Sequence, residues 1–176
     1  MPEFMLYGSS EESPRASGGP TLVGEPTRKN VYIHSGQLHV SDEPCAITTI
    51  LGSCVAVCIW DVVHGFGGAT HYLLPYRASV DHSSLRFGNF AVEELIGQLL
   101  NMGGSRRNLQ SKLFGGACIF AGIKRIDEQL GTKNVEVALR MLQQNEIPVI
   151  THDVGGPRGR KLIFNTDSGD AWVKLL

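Results

Sequence analysis

The run Cys54–Asp61 (CVAVCIWD) constrains this chain more than any other segment. Read as a strand, it places Val55, Val57 and Ile59 on one side and Ala56, Cys58 and Trp60 on the other. Both sets are apolar, so the strand is buried on both faces. A chain of 176 residues can supply the core for such a strand within one domain and without disulfide staples.

The surrounding pattern is strand-rich. Val31–Ile33, Gln37–Val40 and Ala46–Ile50 precede the run, the last ending at Gly52-Ser53. Ala69–Leu74 follows the turn made by Gly65, Gly67 and Gly68. Lys112–Phe120 reads as a strand interrupted at Gly115-Gly116, and Pro148–His152 as another. Lys161–Phe164 and Ala171–Leu175 read as a terminal hairpin around Asp167-Ser168-Gly169. Two segments change to helical spacing. Phe90–Met102 carries a stripe of Phe90, Leu95, Leu99 and Met102 behind an Asn89 cap. Asn134–Asn145 carries Val135, Ala138, Leu139 and Leu142 behind a Thr132 cap. Strands outnumber helices and do not alternate with them, which predicts an α+β domain over residues 30–176. Residues 1–29 are rich in Ser, Glu, Gly and Pro and read as a flexible tail.

Charge excludes several function classes. The formal net charge of −1 gives no basic excess for nucleic acid. The longest uninterrupted apolar run, Val55–Trp60, is too short for membrane insertion. The N-terminus lacks the basic-then-apolar order of a secretory signal, so the expected location is cytoplasmic. There the four cysteines, Cys45, Cys54, Cys58 and Cys118, are expected as free thiols. Cys54 and Cys58 are about 13 Å apart on a strand, beyond disulfide reach, and no His spacing completes a metal site.

The segment Thr48-Thr-Ile-Leu-Gly-Ser-Cys54 carries the chemistry. A strand ends, Gly52-Ser53 turns, and a cysteine stands at the exit. Such a turn leaves backbone N–H groups that can hold an oxyanion beside the sulfur. A thiol needs a base near neutral pH, and His71 lies on the next strand, inside an apolar run ending Leu-Leu-Pro75. A plain hairpin centred on Val63–Gly67 puts Cys54 opposite about Pro75. His71 is then some four residues, roughly 13 Å, out of register. A Cys54–His71 pair therefore requires a bulge, a stagger or strands in different sheets.

The other candidates read as structure. Cys45, Cys58 and Cys118 lack the turn context and are packing residues. Asp81-His82-Ser83 is a solvated loop, since adjacent residues rarely converge on one atom. Gly155-Gly-Pro-Arg-Gly-Arg-Lys161 is a tight turn with solvated arginines; it lacks the phosphate-loop pattern and leads into a strand.

Five blocks, in order, resemble the CheD family of chemoreceptor glutamine deamidases of bacterial chemotaxis. They are Thr48–Asp61 (TTILGSCVAVCIWD), Gly67–Pro75 (GGATHYLLP), Lys112–Ala117 (KLFGGA), the Gly131–Val137 block (GTKNVEV) ahead of the second helix, and Asp153–Arg160 (DVGGPRGR). The resemblance implies packed β-sheets with two helices outside, similar to the cytotoxic necrotizing toxin deamidases. It places the nucleophile on Cys54 and the histidine on His71. By spacing it places the third catalytic residue, a threonine six positions before the cysteine, on Thr48, with Thr49 beside it. Gly52 and Ser53 then support the oxyanion turn. The implied reaction is hydrolysis of glutamine side-chain amides on methyl-accepting chemoreceptors to glutamate and ammonia, through a thioester. No metal or organic cofactor is called for. Methylester hydrolysis would use the same acyl chemistry. The alternative is a non-catalytic module that binds a CheC-type phosphatase or receptors.

Overall fold

The computed structural model describes residues 5–8, 27–76, 84–118 and 124–176. The strands are β1 (Met5–Tyr7), β2 (Lys29–Tyr32), β3 (Gln37–Ser41), β4 (Cys45–Leu51), β5 (Val55–Asp61), β6 (Phe66–Tyr72), β7 (Leu109–Gly115), β8 (Val149–Val154), β9 (Arg160–Asn165) and β10 (Ala171–Leu175). The helices are α1 (Gly88–Asn101) and α2 (Lys124–Gln144). One sheet has the order β1-β10-β9-β4-β2 and the other β3-β6-β5-β7-β8. Pairing is antiparallel except for β2 with β4 and β7 with β8. The fold is α+β, as the sequence pattern predicts.

The two faces of β5 explain the layering. Ala56, Cys58 and Trp60 pack between the sheets with Ile47, Leu51, Leu162, Phe164 and Val173. Val55, Val57 and Ile59 pack on the other side with Leu95, Leu99, Ala138 and Leu142 of the helices. The molecule is therefore sheet, sheet, helices, with β5 central in the middle layer. Each large apolar side chain so buried contributes about 1.5–3 kcal/mol.

Three element boundaries differ from expectation. Met5–Tyr7, expected in the tail, pair with Ala171–Val173 as an edge strand. The rest of that tail, 9–26, lies outside the described residues, as does the loop 77–83 with His82. α2 starts at Lys124, so Gly131–Val137 lies inside the helix and not ahead of it. Gly131 is a contact point within the helix: a Cβ there would come 2.5 Å from the Gly116 carbonyl oxygen. α1 begins at Gly88 after Phe87, whose side chain makes no cap bond.

The turn between β5 and β6 sets the register on which the site depends. The Asp61 carboxylate accepts from the backbone N–H groups of Val63 and His64 at 2.9 Å each. Gly65 takes φ +68°, a conformation that glycine adopts at low cost. The turn is thus Val62–Gly65, and the ladder runs from Asp61↔Phe66 to Val55↔Tyr72. A slip of one residue would turn every β6 side chain to the opposite face.

Candidate functional site: a cysteine and a histidine at the end of the interlayer

The register halves the expected offset between Cys54 and His71. His71 pairs with Ala56, two residues from Cys54, and the last pair of the ladder is Val55↔Tyr72. The offset is two residues, not four, or about 7 Å along the strand. Ala56, the partner of His71, faces the interlayer, and Cys54 stands two residues before it, just outside β5. Cys54 is half-buried and His71 is 4 % exposed.

A hydrogen-bond chain fixes the tautomer of His71. The Thr49 hydroxyl donates to the Ile33 carbonyl at 2.8 Å. Its one proton is thereby used. Its oxygen lies 2.8 Å from His71 Nδ1, so it accepts there, and Nδ1 carries the hydrogen. Nε2 is then the bare nitrogen. It is buried and has no hydrogen-bond partner among the described residues. Burial, helped by His34 nearby, pushes the His71 pKa down to about 4. Burial also pushes the Cys54 thiol up, partly offset by its own backbone N–H near the sulfur. Burial thus favours the neutral thiol at Cys54 and the neutral imidazole at His71.

The hydroxyl hydrogen-bonded to His71 belongs to Thr49, the neighbour of Thr48. β4 faces the second sheet with Cys45, Ile47 and Leu51. Thr49 shares their parity, whereas Thr48 lies on the opposite face. Spacing from the cysteine selects Thr48; alternation along the strand selects Thr49. The loop after β2 completes the cover, with Gly36 N–H donating to the His71 carbonyl at 2.7 Å.

The Gly52–Cys54 turn is held by its carbonyls. Gly52 O accepts from Ala117 N–H at 2.8 Å and Cys54 O from Gly116 N–H at 2.8 Å. Ser53 O accepts from the Asn134 side chain at 3.0 Å. With Gly52, Ser53 and Cys54 carbonyls engaged, the turn is rigid on that side. Gly115 and Gly116 adopt φ +110° and +66°, which lets the end of β7 lie against it. Gly115 O is itself bound by Gly155 N–H at 2.8 Å and by Arg160. Sequence reasoning did not find Asn134; its available signal was a polar residue on the apolar stripe of α2.

The remaining candidates fall away from this centre. Cys45 and Cys58 are fully buried, and Cys118 is half-buried with its N–H on Gly156 O. Arg160, expected in solvent, is 2 % exposed and pairs with Asp153 at 2.9 Å. It also donates to the backbone carbonyls of Asp153 and Gly155. It serves the turn internally. Arg158 is exposed and donates to the Leu176 carbonyl. Among the described residues no three His, Cys, Asp or Glu side chains cluster as a metal site, and no helix is long and apolar enough to cross a membrane.

The site thus presents a half-buried thiol at the exit of a braced turn and a buried imidazole that is oriented through Nδ1 and has no partner at Nε2 among the described residues. Comparison with known proteins narrows the class. The family model for CheD chemotactic sensory transduction matches residues 73–175. The protein named probable chemoreceptor glutamine deamidase CheD 1 from Anaeromyxobacter dehalogenans is 46 % identical over 169 residues, covering 96 % of this chain and 97 % of that protein. Probable chemoreceptor glutamine deamidases CheD from Trichlorobacter lovleyi and Sulfurimonas denitrificans are 40 % and 39 % identical, covering 83 % and 82 % of this chain and 89 % and 93 % of theirs. This chain belongs to the CheD family. Among solved structures, hypothetical protein YfiH of Bacillus licheniformis aligns over 79 % of this chain and 61 % of that chain with a TM-score of 0.44 and 11 % identity, too distant to bear on function.

Proposed function

We propose that this protein hydrolyses the side-chain amides of specific glutamines on methyl-accepting chemoreceptors, giving glutamate and ammonia. Cys54 attacks the amide carbon while His71 Nε2 takes the thiol proton. The oxygen becomes an oxyanion beside the Cys54 backbone N–H. His71 then gives the proton to the departing nitrogen, which leaves as ammonia, and a thioester remains. Water, deprotonated by His71, attacks the thioester; the carboxylate leaves and the Cys54 thiol is restored. Thr49 holds the imidazole in the required tautomer throughout, the part a third residue plays in such sites.

The observation that supports this most is the buried Nε2 of His71, without a partner among the described residues, on a ring oriented by Thr49 and paired in register with Ala56, two residues from Cys54. A neutral pair suits an amide: its acid partner must arrive at the leaving nitrogen carrying the proton it has just removed. Family membership supports receptor glutamines as the substrate and a CheC-type phosphatase as a regulatory partner, and both roles belong to the cytoplasmic side of the receptor. The test is incubation with a purified receptor signalling fragment. The expected result is Gln-to-Glu conversion at discrete sites by peptide mass spectrometry, with matching ammonia, lost in Cys54→Ala and His71→Ala. Equal conversion by all three proteins would overturn the assignment. Binding of fragment and phosphatase by a parent that converts nothing would favour the interaction module.

A further inference from the structure

Asn134 is fully buried on α2, and its side-chain nitrogen donates twice. One hydrogen goes to Ser53 O at 3.0 Å and the other to Leu73 O at 2.8 Å. Ser53 precedes Cys54, and Leu73 stands two residues beyond His71. The β5–β6 ladder ends at Val55↔Tyr72, so Ser53 and Leu73 both lie just beyond its last pair. One amide group therefore joins the strand end that carries the thiol to the strand that carries the imidazole.

Two carbonyls cannot bond to each other, and joining them takes a neutral group with two hydrogens on one atom. Only the side-chain amides of Asn and Gln provide this without burying a charge. The price is visible on the same side chain: Oδ1 is buried with no partner. The backbone carbonyl of Asn134 accepts from the Tyr72 hydroxyl at 2.6 Å, which ties the helix to β6 a second time. Three residues earlier on the same helix face, Gly131 lies against Gly116, whose N–H holds Cys54 O.

We infer that Asn134 is a positioning residue of the amidase: its amide nitrogen sets the spacing of Cys54 from His71 by holding the Ser53 and Leu73 carbonyls together. The inference rests on the reading of Cys54 and His71 as nucleophile and base. Proton transfer between them demands contact near 3 Å, so a small relaxation of the two strand ends costs rate without removing any reacting group.

The experiment is a double-mutant cycle on the full chain, using Asn134→Ala, His71→Ala and the pair. Deamidation of a receptor fragment gives kcat and KM, iodoacetamide alkylation of Cys54 gives a rate constant, and thermal melting gives stability. Asn134→Ala is expected to lower kcat about 10–100-fold with KM nearly unchanged. It slows alkylation in the parent background and has no effect where His71 is already absent. Lys112→Met, which loosens β1 and the β9–β10 turn without touching Ser53 or Leu73, is expected to lower the melting temperature while kcat stays within about two-fold. If Asn134→Ala does not fold, Asn134→Ser, whose cavity admits a water, is measured in the same cycle. Parental kcat in the folded Asn134 variant, an equal alkylation effect in both backgrounds, or an equal kcat loss in Lys112→Met would overturn the inference. If His71→Ala itself leaves turnover and alkylation unchanged, the nucleophile–base reading fails. If His71→Ala abolishes turnover and Asn134→Ala does not, only the role of Asn134 fails.

Discussion

Two buried basic side chains stand on the interlayer face of the same sheet and have opposite hydrogen-bond states. Lys112, 0 % exposed, donates to the carbonyls of Tyr7 and Gly169 and lies 5.2 Å from the Trp60 ring centroid. Its donors are used, and they tie β1 and the β9–β10 turn to the second sheet. His71 is anchored through Nδ1 and keeps Nε2 bare. Burial works against charge on both and lowers both pKa values. Lys112 is compensated by Asp170, by carbonyl dipoles and by the ring face, whereas His71 has no acid partner among the described residues and its pKa falls to about 4. A saturated buried base is a structural device, whereas an oriented base with one empty position is available for chemistry.

This contrast can be broken by substitution, beginning with the largest effect. His71→Ala should reduce receptor deamidation by about 10²–10⁴-fold while the protein still melts cooperatively. Lys112→Met should do the reverse. It leaves two buried carbonyls unpaired and should cost about 2–4 kcal/mol in denaturant unfolding, with kcat per folded molecule unchanged. A kcat loss in Lys112→Met matching that of His71→Ala would erase the distinction.

Thr49→Val sharpens the comparison by removing the group that orients His71. It should lower kcat about ten-fold and stability by about 1–2 kcal/mol, since Ile33 O and His71 Nδ1 lose their partner. Thr48→Val should change neither beyond about two-fold. Equal effects of the two substitutions would return the third role to spacing alone.

Most of the layering was legible in the sequence. The double-sided apolar run of β5 announced burial on both faces, and the Gly-Ser turn marked Cys54 before any geometry. What escaped was register and parity. Whether the β5–β6 turn is centred on Gly65 or on Val63–His64 changes the Cys54–His71 offset two-fold, and that choice is made by the Asp61 carboxylate capping two N–H groups. In Thr48-Thr49 both residues are compatible with a strand, and both alternating sets of β4 contain apolar groups, so the sequence pattern does not say which hydroxyl faces inward. Asn134 was hidden for another reason. Its partners are backbone carbonyls of Ser53 and Leu73, and backbone acceptors carry no sequence signature. Arg160 was misplaced in solvent because its partners, too, are mostly carbonyls.

A further expected effect concerns pH. A histidine held near 4 in the fold and near 6.5 unfolded binds more protons when unfolded. Its stabilising contribution is present above about pH 6.5 and is lost as pH falls towards 4, by up to about 3 kcal/mol. His39, also lowered by burial and by Lys29, adds in the same direction. Urea midpoints measured from pH 7 to pH 4 should therefore fall more steeply in the parent than in His71→Asn. Parallel curves would show that His71 is not held neutral by the fold.

The central claim is that the resting site pairs a neutral thiol with an imidazole protonated on Nδ1 and bare on Nε2. The direct measurement is the pair of ¹⁵N chemical shifts of the His71 ring at neutral pH, assigned by comparison with His71→Gln. The predicted result is one pyrrole-type nitrogen at Nδ1 and one pyridine-type nitrogen at Nε2, unchanged in Cys54→Ala. Two protonated nitrogens, collapsing to one when Cys54 is replaced, would show a preformed thiolate–imidazolium pair and contradict the account.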